Sequence, residues 1–228
     1  MVRVVLFDLD DTLLDFQRAE AVALRKVLEQ LGVEPTEAIV ARYSEINARL
    51  WELLEEGKRT REQVLVHRFE LLFMELGLDI CPHQAKGIYE NLLGVGHYFV
   101  PGAAELLEAL HLRYELYLVS NGTAVVQDRR IESAGIARYF KEIFISQRVG
   151  YDKPAVEFFE HCFERIEGFS KDEALIIGDS LSSDILGGNN AGIRTCWFNL
   201  KGKSGREGIQ VDYEISELGQ IPALLERI

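Results

Sequence analysis

The chain has 228 residues, 47% of them apolar and 27% charged, which fits a soluble globular protein built as one domain with a large insertion or as two small domains. Its formal charge of −12 argues against nucleic-acid polymers and anionic membrane surfaces as partners, because a polyanion is repelled rather than steered in. A small phosphate ester stays open as a partner, since a lysine and a divalent cation together can reverse the field inside one cleft.

Residues 2–7 (Val-Arg-Val-Val-Leu-Phe) are predicted as a short buried parallel strand. The run is too short, and too soon followed by Asp8, Asp10 and Asp11, to be a signal peptide. No later stretch is apolar for long enough to span a bilayer, so a cytoplasmic setting is expected. From residue 18 to about 93 the pattern is helical and punctuated by breakers. Residues 19–31 end at Gly32, Pro35 opens a run ending at Gly57, Thr60 opens one ending at Gly77, and Pro82 opens one ending at Gly94. Pro101-Gly102 begins a different regime. Helices are predicted at 103–112, 124–134, 154–166, 181–191 and 217–227, and they alternate with strands at 116–119, 143–146, 174–177 and 195–198. Residues 201–208 read as a polar loop. The alternation predicts an α/β fold, a doubly wound parallel sheet interrupted after its first strand by an α-helical insertion. The expected domains are a core of residues 1–15 and 97–228 and a helical cap of residues 16–96.

Cys81, Cys162 and Cys196 are dispersed and lack metal-binding spacing, so they are expected as buried reduced thiols; the scattered histidines are assigned no chemistry. In open parallel sheets ligands bind beyond the carboxyl ends of the strands. Asp8-Leu9-Asp10-Asp11-Thr12 follows the first apolar run, Ser120-Asn121-Gly122 the second, and Gly178-Asp179-Ser180 the run at 174–177, with Asp184 one turn further on. Lys153-Pro154 stands between them at a helix start. Each group alone has an ordinary structural reading: Asp11 as a turn former, Asp184 as a solvated carboxylate, Ser120-Asn121-Gly122 as a strand-to-helix turn, Lys153 as a residue leading into a helix. Their joint recurrence at strand ends is what those readings leave unexplained.

In this order the groups resemble the phosphatases of the haloacid dehalogenase superfamily, which carry D-x-D-x-T, then a Ser or Thr after a strand, then a Lys, then G-D-x-x-x-x-D. The resemblance spans the whole chain and implies a helical cap between the first two motifs. It also implies Asp8 as nucleophile, forming an aspartyl-phosphate, and Asp10 as general acid and base. Mg²⁺, which prefers hard oxygen ligands, is implied at Asp8, the backbone carbonyl of Asp10 and Asp179, with Asp184 and Thr12 as supports. Ser120, the Asn121 amide and Lys153 are implied as the phosphate-binding groups. The superfamily's dehalogenases lack an acid/base Asp at the position of Asp10, which aligns this chain with the phosphatases.

A finer resemblance rests on Asp10-Asp11-Thr12-Leu13-Leu14-Asp15-Phe16, on Val149-Gly150-Tyr151-Asp152-Lys153-Pro154, and on the segment 178–193 with its Gly-Gly-Asn-Asn-Ala-Gly helix end. It is to capped 5′-nucleotidases that act on pyrimidine and non-standard nucleoside monophosphates, and it implies dUMP, dTMP or UMP as substrates. The alternatives are a sugar-phosphate or phosphoglycolate phosphatase, a phosphomutase, and a phosphate-binding regulator without turnover. Phe16, Tyr43, Trp51, Phe69, Phe73, Tyr89 and Tyr98 are read as cap core, and Lys58 and Arg68 as solvated helix faces. Gly94, Gly96 and Pro101-Gly102 mark an expected hinge. The whole reading requires the carboxylates of residues 8 and 179 to meet around one cation.

Overall fold

The computed structural model describes residues 1–228. Six strands, β1 (Val4–Phe7), β2 (Glu115–Ser120), β3 (Glu142–Ile145), β4 (Ala174–Gly178), β5 (Arg194–Phe198) and β6 (Tyr213–Ile215), form one sheet in the order β3-β2-β1-β4-β5-β6. Every neighbouring pair is parallel. The order reverses at β1, so a crevice opens beyond the carboxyl ends of β1 and its neighbours.

Successive side chains of β1 face opposite layers, as the period of a strand dictates. Val5 and Phe7 join a core with Leu106, Leu107, Leu110, Ile221 and Leu224, while Val4 and Leu6 pack with Phe158, Phe159 and Cys162. The helices behind these layers are α5 (Ala103–Leu110), α6 (Ala124–Ala134), α7 (Ser146–Val149), α8 (Val156–Phe163), α9 (Leu186–Ala191) and α10 (Ile221–Leu225), preceded in the chain by the four insertion helices. Gly187 and Gly188 of α9 permit close packing: a Cβ at 188 would meet Thr195 at 2.6 Å and Ile176 at 2.7 Å.

The insertion is all helical: α1 (Phe16–Gln30), α2 (Glu37–Glu55), α3 (Arg61–Leu76) and α4 (Pro82–Leu93). The starts follow local chemistry. Asp15 caps α1 by accepting from the Arg18 amide, Thr60 and Gln63 form a capping box at α3, and Gly77 ends α3 with φ 66°. The helices close around Tyr43, Phe69, Phe73 and Tyr89, with ring centroids of Tyr43 and Phe69 5.2 Å apart. The chain enters and leaves the cap side by side, where Leu14 bridges to both Asp10 and Phe99.

Several local expectations are corrected. The helix predicted from Pro154 starts at Val156, and residues 181–191 open with a π turn over Leu181–Ile185 before α9. The terminal helix is shortened to α10 behind a 3₁₀ turn, and β6 is an additional strand. Cys81 is exposed, because it stands at the N-cap of α4 on the cap surface. Arg68 is 2% exposed rather than solvated, while Lys58 is exposed and pairs with Glu56. Phe16, Trp51 and Tyr98 are only partly buried, at the edge of the cap cluster.

Candidate active site

Asp8 leaves β1 at the crevice with its side chain fixed on both oxygens. Oδ1 accepts from Lys153 Nζ at 2.8 Å and Oδ2 from the Thr12 hydroxyl at 3.0 Å. Thr12 in turn accepts from the Asp179 amide at 3.1 Å, which joins the β1 loop to the β4 loop. Lys153, 1% exposed, also donates to Asp184 Oδ1 at 2.7 Å and to the Val119 carbonyl at 2.8 Å. Asp184 Oδ2 accepts from the Ser180 amide at 3.1 Å. A Cβ at Gly178 would collide with the Asp184 carboxylate, so the glycine of the G-D motif leaves room for it. Asp11, at φ 58°, accepts from the amides of Phe16 and Gln17 and so shapes the turn into α1.

Carboxylate oxygens of Asp8, Asp179 and Asp184 all lie within 4.8 Å of one another. Residues from opposite ends of the chain therefore do meet. Burial, with Asp184 and Asp10 adding to it against the opposing pull of Lys153, raises the Asp8 carboxyl to about 7. Burial and the neighbours Asp8, Asp184 and Asp11 push Asp179 well above the usual carboxylate range. Burial alone would lower Lys153, but Asp184 and Asp8 hold it above an ordinary lysine.

These residues fit a hard divalent cation. The Asp179 carboxylate receives no hydrogen bond from the protein, and neither does the Asp10 carbonyl oxygen. Both are unspent oxygen donors beside Asp8, the donor type that Mg²⁺ takes. The arrangement also favours an anion: the backbone N–H groups of Leu9, Asp10 and Asn121 donate to no protein acceptor, as in a strand-end anion nest.

The Asn121 side chain clamps Lys153, accepting from its amide and donating to its carbonyl, each at 2.8 Å. Ser120 is fully buried just behind the wall formed by Asn121 and Gly122, and its oxygen accepts from Gln127 Nε2 at 2.7 Å. The Asp10 carboxylate is held by Gln127 Nε2 at 2.7 Å and by an ion pair with Arg130, which is fully buried. Arg130 also donates to Gln127 Oε1 at 3.0 Å and to the Gly96 carbonyl at 3.2 Å. Neither Gln127 nor Arg130 was marked by the sequence. Both lie on α6, three residues apart and so on one helix face; that spacing is the only signal they carry.

Asp8, Asp10, Asn121, Lys153, Asp179 and Asp184 line one cavity of about 740 Å³, whose roof comes from the cap. No helix is long and apolar enough to cross a membrane.

A family model described as haloacid dehalogenase-like hydrolase matches residues 5–198, and the chain belongs to that family. The chain is an enzyme of hydrolase type, similar over nearly its whole length to phosphatases of the family. It is 38% identical to pyrimidine 5′-nucleotidase PynA of Streptococcus pneumoniae, over 93% of this chain and 90% of that one. It is 30% identical to pyrimidine 5′-nucleotidase YjjG of Escherichia coli, over 97% and 96% of the two chains. The crystal structure of the HAD-hydrolase YfnB from Bacillus subtilis, bound to magnesium and revealing interdomain movement, superposes with a TM-score of 0.95 at 42% identity over 98% of both chains.

Proposed function

We propose that this protein is a Mg²⁺-dependent nucleoside 5′-monophosphate phosphatase working through Asp8. The observation that carries the reading is the placement of the Asp8 carboxylate. It is fixed at a strand end between Lys153 and Thr12, on the floor of a cavity whose 740 Å³ is in the range that accepts a whole nucleotide-sized ligand. The names of PynA and YjjG support a nucleotide as the ester.

A phosphate monoester repels nucleophiles by its own charge, so the work is positional and electrostatic. The free N–H groups of Leu9, Asp10 and Asn121 hold phosphoryl oxygens, and Lys153 offsets their charge. An Asp8 oxygen forms a bond to phosphorus as the bond to the ester oxygen breaks, and that oxygen takes a proton from Asp10. In the second step water attacks phosphorus, Asp10 takes the water proton, and Asp8 is released with inorganic phosphate. Asp8, the Asp10 carbonyl and Asp179, with Asp184 behind them, would hold Mg²⁺, which would supply positive charge to keep Asp8 ionised and offset the phosphoryl charge. Arg130 and Gln127 orient Asp10. Ser120, behind the wall, accepts from Gln127 Nε2 and so helps fix the side chain that holds Asp10.

Phosphate release from a panel of nucleoside monophosphates and sugar phosphates, with and without Mg²⁺, tests this. Release from dUMP, dTMP or UMP that depends on Mg²⁺ is expected. Release from sugar phosphates alone would overturn the nucleotide assignment, and no release at all would leave a binding protein.

A further inference from the structure

The cap half of the cavity contains a buried polar chain inside an otherwise aromatic bundle. Glu20 on α1, Asn47 on α2 and Arg68 on α3 are 3%, 2% and 2% exposed, and all three line the cavity that holds Asp8. Asn47 Nδ2 donates to Glu20 Oε1 at 2.7 Å, and Arg68 Nη1 donates to Asn47 Oδ1 at 3.2 Å. Arg68 Nε donates to the Leu65 carbonyl at 3.2 Å, and the guanidinium lies 4.6 Å from the centre of the Tyr89 ring. A guanidinium carries five N–H donors. Those of Arg68 make only these two bonds, with no carboxylate paired to it, and Nη2 is left without a protein acceptor. Nη2 is not sealed in the bundle: on a side chain otherwise 2% exposed it opens onto the cavity, where it is free to donate to a ligand acceptor.

The surrounding charge limits what that acceptor is. Glu20, Glu45 and Glu90 line the cavity together with Arg68, which brings the only guanidinium to its wall. A leaving group with its own carboxylate or second phosphate would be repelled there. A neutral group that offers a carbonyl to Arg68 and an adjacent N–H to Glu20 satisfies both sides. Phe16 and Trp51, also on the wall, favour a flat ring. We propose that Glu20, Asn47 and Arg68 read the imide edge of a uracil or thymine base. Arg68 donates to a ring carbonyl, Glu20 accepts from N3–H, and Asn47 holds the two in register. Cytosine turns the lone pair of its N3 toward Glu20, and adenine has no carbonyl to give Arg68. The proposal rests on the nucleotidase reading above.

The test compares kcat/KM for UMP, N3-methylated UMP, CMP and ribose 5-phosphate, using the full chain with Mg²⁺. N3-methylation, which removes the donor that Glu20 needs, is expected to lower kcat/KM by about 100-fold relative to UMP, with CMP also disfavoured. In Glu20→Gln and Arg68→Lys the preference for UMP over ribose 5-phosphate is expected to shrink at least about tenfold. The methylated substrate is tested on unaltered protein, so it decides the matter even if a buried variant misfolds. Equal cleavage of UMP and its N3-methyl analogue overturns the proposal while leaving the nucleotidase reading standing. A UMP to ribose 5-phosphate ratio unmoved in both folded variants overturns it in the same way. Cleavage of ribose 5-phosphate with none of any nucleotide is a different result, which removes the nucleotidase reading and this proposal together.

Discussion

Lys153 is the one cation set among Asp8, Asp179 and Asp184, and it donates to two of them from a position 1% exposed. Removing one partner of a buried ion pair leaves charge without compensation, at a cost of roughly 3–5 kcal/mol. Lys153→Met should therefore destabilise the metal-free protein by about that amount in urea unfolding, and a loss below about 1 kcal/mol would show that the carboxylates are already neutral there. Asp8→Asn keeps the side-chain shape but loses the carboxylate proposed to attack phosphorus. Turnover is expected to fall on the order of 10³-fold or more with the far-ultraviolet circular dichroism unchanged, and retained activity would remove Asp8 from its role. Arg130 acts at one remove, through Asp10. Arg130→Met is expected to lower kcat about 10- to 100-fold while KM stays within about threefold, and a change in KM alone would make it a substrate contact instead. The difference in how these residues were found is physical. Asp8, Asp10, Thr12, Asp179 and Asp184 sit in short local patterns because strand ends place them by sequence proximity. Arg130, Gln127 and Arg68 sit on helix faces where charged and polar side chains are ordinarily solvated. Their burial is decided by the helix or strand that packs over them.

At the scale of elements, the cap touches the core where α4 packs on α6, with Arg129 donating to Asn91 at 3.0 Å, and again around the turn between α2 and α3. Glu55, near the end of α2, accepts from the Ser182 hydroxyl at 2.7 Å, and Arg61, opening α3, donates to Ser146 at 2.6 Å and pairs with Asp152. Ser146 also accepts from the Gly122 amide at 3.2 Å, and Asp152 precedes Lys153, so the Arg61 contact reaches both loops that flank the proposed phosphate site. Burial raises the Glu55 carboxyl from 4.5 to about 7, with Asp184 and Glu52 also raising it and the Ser182 bond and Lys153 opposing. An acid whose proton is held more tightly in the closed form favours closure fully below its ordinary value, and that advantage is lost as pH climbs through about 7. In metal-free protein the cap should thus open progressively between about pH 5 and pH 8, roughly the span of the shift. Emission from Trp51, on the cavity wall, is the reporter, and Glu55→Gln should flatten its pH dependence. A pH response identical in the variant would place the titration elsewhere. The elements themselves were largely legible, because Gly32, Gly57, Gly77 and Gly94 end the cap helices where a breaker is needed and the apolar runs are long enough to stand out. β6 was not: its Tyr-Glu-Ile alternation covers only three residues on an edge strand, too short for a period to stand out. The π turn at Leu181–Ile185 was likewise invisible, since its Asp184 is pulled inward by Lys153 and Ser180 rather than by any local propensity.

For the whole molecule, the question is what holds loops from opposite ends of the chain against their mutual repulsion. Asp8 follows β1 and Asp179 and Asp184 follow β4, and the direct protein links between these loops are the Thr12 bond to the Asp179 amide and the shared Lys153. In a molecule of charge −12 the long-range field adds to the local repulsion rather than relieving it. A divalent cation bound only by the folded arrangement then acts as a clamp, stabilising the native state by RT ln(1 + [L]/Kd), about 2.7 kcal/mol at a hundredfold excess over Kd. For a chain of this size that corresponds to a rise of about 5–10 °C in Tm on adding saturating Mg²⁺ to chelator-treated protein. Asp179→Asn removes a ligand whose carboxylate has no protein donor to lose, so its own fold should be at least as stable without metal, yet its Mg²⁺-dependent rise should shrink to less than about half. Ca²⁺, which tolerates the same oxygen donors, should raise Tm as well, which separates binding from turnover in a measurement that needs no substrate. Equal melting with chelator and with Mg²⁺ would mean that the Asp8 and Asp179 carboxylates do not share an ion, and their assignment to one catalytic centre would go with it.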